Sequence, residues 1–315
     1  LVGRSALAWG VTPPVSQPVA LEVIGGLPPG RYRYAVTFLR ADGHESGTGL
    51  SGQIDITQGG IAFSGIAVSA SSEVTDKVLY VTATNGEVLY RVAIIPNAQT
   101  LYVYSSGGMD TMIPLTTQFA TNAPAGSLVR EFAGVMYVVV EGVVYHSDAY
   151  GYELFRPDTN FLQFPGRVAM FEPMTDGVYV GTTDIGGDDV ESRGMTAFLK
   201  GSRPDKFDML QLYDYGVIEN TAIRTDAAYF EPPVYPNQDP NAVPEAPLPI
   251  TVWTSRHGIL AGKDGGNVKN LTETKHSFPT AQRGAAFLRQ DRGYATYIVT
   301  LQGAGAETNV YAATI

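Results

Sequence analysis

The side chains able to do chemistry in this chain are few and scattered. Its histidines are His44, His146, His257 and His276, and no two lie at the short spacing by which one helix or hairpin offers two imidazoles to zinc. Each is expected at a satisfied or solvent-facing position. The segment Asp184-Ile-Gly-Gly-Asp188-Asp189-Val-Glu191 gathers carboxylates in a turn, and such oxygen ligands are what calcium takes. The alternating ligand spacing of a calcium loop is missing, so Asp184, Asp188, Asp189 and Glu191 are a weak calcium candidate and a solvated hairpin tip is the simpler expectation. Gly258-Ile-Leu-Ala-Gly262-Lys263-Asp264 is built like a phosphate loop, but it has one residue too few between its glycines and Asp where a hydroxyl must hold magnesium. No Gly-x-Ser-x-Gly elbow occurs. Asn270-Leu-Thr272 fits the glycosylation pattern, which has meaning only in a secreted eukaryotic chain. The expectation is a chain without catalytic residues, cofactor or metal. Carboxylate pairs that hydrolyse glycosides leave no mark in spacing, so a glycosidase remains an alternative reading.

Composition bounds the other function classes. The 315 residues carry a formal charge of −10, which argues against sequence-independent nucleic-acid binding, because that affinity comes from cations displacing counterions on phosphate. An acidic conduit through which DNA passes without sticking stays compatible. There is no cysteine, hence no disulfide and no thiolate metal site. No apolar run approaches the length of a membrane-spanning helix. With Leu1 in first place and no basic-plus-apolar leader, the chain is expected to start inside a longer polypeptide. Glycine (35) and proline (20) are frequent, and such punctuation predicts many tight turns and an all-β fold.

Short alternating strands are predicted from Val19 to Tyr104. In Tyr32-Arg-Tyr-Ala-Val-Thr-Phe38, the residues Tyr32, Tyr34, Val36 and Phe38 share one face. Asp42-Gly43 closes that strand, and further strands are expected at 53–57, 61–69, 77–84, 87–95 and 100–104, with Asn85-Gly86 as the strongest hairpin signal. About seven strands in about 90 residues predict a fibronectin- or immunoglobulin-like β-sandwich over 16–106. Residues 107–126 read as an extended connector. From 127 to 315 the period lengthens to roughly 45 residues, the spacing of four-stranded β-propeller blades. Strands near 129–132, 135–140, 143–147 and 161–164 form one repeat, and 168–171, 177–182, 196–200 and 209–213 the next. A third spans 217–278 with a proline-rich insertion at 231–249, and a fourth begins at Ala285. Glycine turns at Gly134, Gly177 and Gly258 recur through these repeats. Because a propeller closes by pairing its chain ends, residues 1–15 are expected to supply a strand to the last blade.

The order of motifs carries a resemblance. Trp9-Gly-Val-Thr-Pro-Pro, Gly25-Gly-Leu-Pro-Pro-Gly-Arg-Tyr-Arg-Tyr, Ala41-Asp-Gly-His-Glu-Ser-Gly and Val78-Leu-Tyr-Val-Thr-Ala-Thr-Asn-Gly are followed by Val144-Tyr-His-Ser-Asp, Tyr152-Glu-Leu-Phe-Arg-Pro, Asp176-Gly-Val-Tyr-Val-Gly-Thr and Phe198-Leu-Lys-Gly-Ser-Arg-Pro. This succession resembles virion structural proteins of tailed bacteriophages in which a β-propeller carries an inserted fibronectin-like sandwich, among them tail nozzle and head-to-tail components. The resemblance implies a non-catalytic tail subunit of the virion. Its partners would be its own copies in a sixfold ring, a portal or adaptor and other tail proteins, with genomic DNA passing through unbound and no insertion into a membrane. A receptor- or carbohydrate-binding tail protein is the alternative that the surplus of tyrosine and the loop at 231–249 suggest.

Overall fold

In a computed structural model of the chain, the described residues are 9–107, 109–183, 194–226, 248–272, 278, 281–291, 294–303 and 308–314. The fold is all-β and built of antiparallel sheets. Packing divides the chain into two compact units, Leu1–Pro124 with Ser147–Asn160, and Ala125–His146 with Phe161–Ile315.

The first unit opens with β1 (Val19–Ile24), β2 (Gly30–Arg40), β3 (Gly52–Ile56), β4 (Gly59–Ser64), β5 (Val74–Thr82), β6 (Leu89–Pro96), β7 (Leu101–Tyr104) and β8 (Asp110–Pro114). They form a three-stranded sheet in the order β1-β4-β7 and a five-stranded sheet in the order β3-β2-β5-β6-β8. Alternation on β2 works as the sequence predicts: Tyr32, Tyr34 and Val36 enter one core with Ile61 and Phe63 of the other sheet, and the Tyr34 and Phe63 rings meet edge-on at 5.1 Å. The opposite face of β2 is buried too, since Ala35, Val78, Tyr80 and Leu89 form a second cluster against which Leu39 and Leu115 pack.

That second cluster takes in part of 107–126, the segment expected as an extended connector. Its segment β8 pairs with β6, Arg91 grips Asp110 at 2.9 Å, and the Leu115 amide donates to the Leu89 carbonyl. Asn85-Gly86 does lie in a hairpin, with β5 and β6 paired antiparallel, but its loop is longer than the two residues expected. Six residues separate β5 from β6, and Asn85 adopts positive φ while its side-chain oxygen accepts the Arg31 amide. The asparagine is thus held by a neighbouring strand and does not form a two-residue hairpin. Residues 9–15 form no strand, because Pro13 and Pro14 lack the N–H a ladder needs. Instead Val11 packs with Phe38 and Val74 of the first unit. Residues 1–8 lie outside the described residues.

The second unit begins with β9 (Leu128–Phe132), β10 (Val135–Val140) and β11 (Val143–Asp148). The chain then contributes β12 (Gly151–Phe155) to the first unit and returns as β13 (Phe161–Gln163), which pairs with Val143–Tyr145. Ala133 and Gly134, both at positive φ, make the tight turn from β9 to β10, a geometry whose twist matches that of the flanking strands. A second meander follows as β14 (Val168–Pro173), β15 (Gly177–Thr182), β16 (Thr196–Lys200) and β17 (Asp208–Tyr213). A third consists of β18 (Ile223–Asp226), β19 (Pro249–Ser255), β20 (Gly258–Gly262) and β21 (Val268–Asn270). The last sheet has β22 (Ala281–Asp291), β23 (Tyr294–Gly303) and β24 (Thr308–Thr314). Of the proline-rich insertion, 231–247 fall outside the described residues.

The repeat that organises this unit is aromatic. The second strand of each sheet carries one fully buried large ring: Tyr137 on β10, Tyr179 on β15, Trp253 on β19 and Tyr297 on β23. Each reaches toward the next or the preceding sheet. Tyr137 lies 5.0 Å from Phe171, Tyr179 lies 5.4 Å from Trp253, and the Tyr297 hydroxyl is 2.9 Å from Thr254 Oγ1 and donates to the Thr221 carbonyl at 2.6 Å. The cores follow suit, each mixing residues of two consecutive sheets. The glycine turns do not share one phase: those at Gly134 and Gly177 join first to second strands, whereas the turn before Gly258 joins second to third.

The relay predicts opposite outcomes for two similar changes. The buried Tyr137 hydroxyl has no hydrogen-bond partner among the described residues, so Tyr137→Phe is neutral or stabilises by up to about 1 kcal/mol, while Tyr297→Phe loses two bonds and costs about 1–2 kcal/mol. Urea unfolding of the two variants checks this; a larger loss for Tyr137→Phe than for Tyr297→Phe would contradict the assignment.

Candidate functional site

A cleft of about 520 Å³ opens in the first unit. One wall is the segment Gly10–Pro13 with Val15, the back is the end of β2 with Phe38 and Arg40, and the other wall is the loop Ala67–Glu73. Gly10 can approach there because it sits at φ +80, with its α-carbon so close to Glu153 that an added Cβ would stand 3.1 Å from the Glu153 Cβ.

The loop is fixed from beneath. Lys77, fully buried on β5, donates to the carbonyls of Ala67 (2.8 Å) and Gln99 (2.6 Å). No carboxylate is among those partners, and burial lowers the ammonium pKa. Asn97 adds a reciprocal pair, accepting from the Ser69 amide and donating to the Ser69 carbonyl. The loop's hydroxyls are partly spent on its own backbone: Ser69 Oγ accepts the Ser71 amide and Ser71 Oγ the Glu73 amide.

The cation on the cleft lining is offset by two carboxylates. Arg40 is bracketed by Asp42 at 2.9 Å and Glu73 at 3.2 Å. The His44 amide and the Arg40 guanidinium both hold the Asp42 carboxyl below its ordinary range. An arginine neutralised twice offers little to an anion. Val11, Val15, Phe38 and Val68 supply apolar wall, with Thr12 and Ser72 on the lining. Glu73 is the single carboxylate on the lining, whereas glycoside hydrolysis uses a facing pair. The arrangement suits retention of a small amphipathic group and contains no nucleophile beside a base.

The histidines are dispersed. His44 Nδ1 lies 2.7 Å from Glu153, the His146 ring is 6.1 Å from Tyr137, the His257 ring is 4.4 Å from Tyr215, and His276 lies outside the described residues. The acidic turn Asp184, Asp188, Asp189 and Glu191 also lies outside them. Among the described residues no group of three or more His, Asp or Glu could hold a metal ion. The segment Gly258–Gly262 is a buried strand, and Asp264 beyond it accepts the Thr175 amide at 2.9 Å. Asn270 uses both ends of its amide, accepting from the Thr272 amide and donating to the His257 carbonyl.

One carboxyl has the raised pKa often seen in general acids. Burial lifts Glu45, whose carboxylate accepts from the Thr37 and Tyr80 hydroxyls. It is enclosed by those groups and absent from the cleft lining, so its expected effect is on stability. With the folded-state pKa above the unfolded one, the folded form holds the proton more tightly. Stability is greatest below the unfolded carboxylate range of about 4.3 and falls as pH rises through the raised value. Glu45→Gln should flatten that decline, measured as the first unit's melting temperature between pH 4 and pH 8. A variant profile as steep as the parent's would exclude Glu45 as its source.

Sequence reasoning missed Arg40, Glu73 and Lys77 as partners. The small-residue run Val68-Ser-Ala-Ser-Ser72 is the one visible sign of a loop there, and Lys77 sits in a strand pattern with nothing to mark its burial. The sequence matches no protein-family profile and no curated protein.

Proposed function

We propose that the chain is a non-catalytic structural subunit of a bacteriophage tail, of nozzle or head-to-tail type, acting in assembly and in the passage of DNA. The observation that carries this reading is the succession of antiparallel meanders in the second unit, each with one buried aromatic on its second strand. Such serial sheets with shared cores are the construction of a β-propeller, in which each blade needs its neighbours to bury its faces. The first unit supports an inserted fibronectin-like sandwich. Taking β1 to β6 as strands B, C, C′, E, F and G reproduces the pairing of B with E and the order C′-C-F-G, with β7 beside E where a D strand lies.

On this reading the molecule's product is position. Copies close into a sixfold ring below a portal or adaptor, using heterologous contacts between different faces of one subunit. The charge of −10 suits a wall past which phosphate slides without being bound. Protein analysis of purified phage particles carrying this chain tests the reading: a fixed low copy number per particle is expected, and absence from the particle sinks it. The cleft at Arg40 and Phe38 favours a second reading, a carbohydrate- or receptor-binding tail protein. Retention of the purified chain on host-envelope glycans, lost on filling the cleft with Ser72→Trp, would favour that reading over a purely structural one.

A further inference from the structure

The outward face of the three-stranded sheet is apolar where an antiparallel sheet facing water alternates to polar residues. Pairing aligns Leu21 with Ala62 and Ala62 with Val103, and in the adjoining row Val19 with Ser64 and Ser64 with Leu101. Residues directly across antiparallel strands point to the same side, so these six share one face. The large ones are exposed: Val19 59 %, Leu21 61 %, Leu101 63 % and Val103 58 %. Their counterparts on the inner face, Ile61, Phe63 and Tyr104, are buried.

The face has relief. Small side chains, Ala62 and Ser64, run along the central strand, and branched aliphatics line the strands on either side. With strands about 4.8 Å apart, this makes a trough about two strand spacings wide between two apolar ridges. Such a shape is self-complementary. A second copy related by a twofold axis can lay its β1 ridge into this trough while receiving the β1 ridge of the first copy in its own, at the about 10 Å separation of stacked sheets. We infer that this face is a twofold, isologous contact between two copies of the chain.

Charge and area favour a second copy over other occupants. The face carries no charged residue on a chain of net charge −10, so it selects neither a cationic nor an anionic partner, and it is a seam at which two acidic copies meet without opposing charges. The apolar surface offered is on the order of 500 Å² per copy, about 1,000 Å² for the pair, at the lower limit for a specific interface. That predicts a reversible dimer, strengthened by salt as repulsion between the copies is screened. The inference goes beyond the proposed tail function and does not rest on it: heterologous ring contacts and this twofold contact use separate geometry.

Sedimentation of the purified full chain at increasing concentration up to about 100 µM tests it, since a contact of this size is expected to form in the micromolar range. Leu21→Glu and Val103→Glu should each halve the mass of the wild-type particle, from dimer to monomer, or from a double ring to a single one. Ala62→Leu enlarges the apolar surface while filling the trough. It should weaken association at least about tenfold if ridge and trough interlock, and strengthen it if the face is merely adhesive. A wild type that sediments at the same mass as Leu21→Glu at every concentration overturns the inference. Tighter association of Ala62→Leu overturns it as well. All three positions are on a solvent-facing sheet surface, and an unchanged circular dichroism spectrum with the parent's melting temperature shows that each variant is folded.

Discussion

Replacing Tyr179 by alanine destabilises the second unit by about 3–5 kcal/mol, the range for truncating a buried aromatic. Its ring sits 4.8 Å from Phe198 and 5.4 Å from Trp253, joining two consecutive sheets. Its hydroxyl donates to the Lys263 carbonyl at 2.5 Å and is 3.2 Å from the Asn267 carbonyl, which ties β15 to the turn after β20. Burial raises the phenol pKa, so the group is a neutral donor across the working pH range. Tyr179→Phe keeps the ring and should cost about 1–2 kcal/mol for the lost bond. The chain holds two tryptophans, Trp9 in the first unit and Trp253 in the second, so Trp9→Phe leaves a fluorophore in contact with Tyr179. Urea unfolding followed by that fluorophore gives the answer. A loss below about 1.5 kcal/mol for the alanine variant would mean that the sheets do not depend on the aromatic relay.

Removing the Arg156 side chain should release the 147–160 excursion from the first unit at a cost of about 2–4 kcal/mol, because several partners are left unpaired at once. Its guanidinium spans both oxygens of Asp148, at 2.8 to 3.1 Å, and also donates to the carbonyls of Thr116 and Gln118. Asn160 completes the bracket with a 3.1 Å bond to Asp148. A lysine carries no planar fork and restores little. The indole N–H of Trp9 donates to the Tyr152 carbonyl at 3.0 Å, so Trp9 emission reports the same segment. Arg156→Ala should shift that emission toward the solvent-exposed value and speed proteolysis between 148 and 160. If cleavage and emission both stay at the parent's levels, the bracket is not what holds the excursion.

Strands were the legible part of the sequence, because alternation and turn residues are local. The second meander, for example, follows the expected strands to within a few residues. What lay hidden depends on partners far along the chain. Segment 107–126 is rich in glycine, proline and small polar residues, and nothing local shows that Asp110 meets Arg91 or that Leu115 covers Leu89. The excursion at 147–160 reads as part of a repeat until Arg156 is seen to reach Thr116 and Gln118. Glycine turns recur along the sequence, yet the property in phase from sheet to sheet is a buried ring on the second strand, which needs the strand order to recognise.

The site was less legible than the fold. Arg40 ends β2 while Glu73 directly precedes β5 and Lys77 lies on it, with β3 and β4 between, and their residue types match no motif. The cleft arises where a loop is held down by a buried lysine on β5 and an asparagine just past the end of β6. Local sequence reads the start of that loop as part of a strand over 61–69, whereas the strand ends at Ser64. The outward apolar row at Leu21 and Val103 was equally silent, since alternation on β1 and β7 reports which residues share a face without saying which face meets water.

On the proposed function, copies of this chain close into a ring around a channel. Electron microscopy of the purified protein, averaged in end-on view, tests it most directly. Rings of sixfold symmetry with a central hole wide enough for duplex DNA are expected. Particles that remain single subunits or simple dimers at every concentration, with no ring formed even in the presence of portal and adaptor, would contradict it.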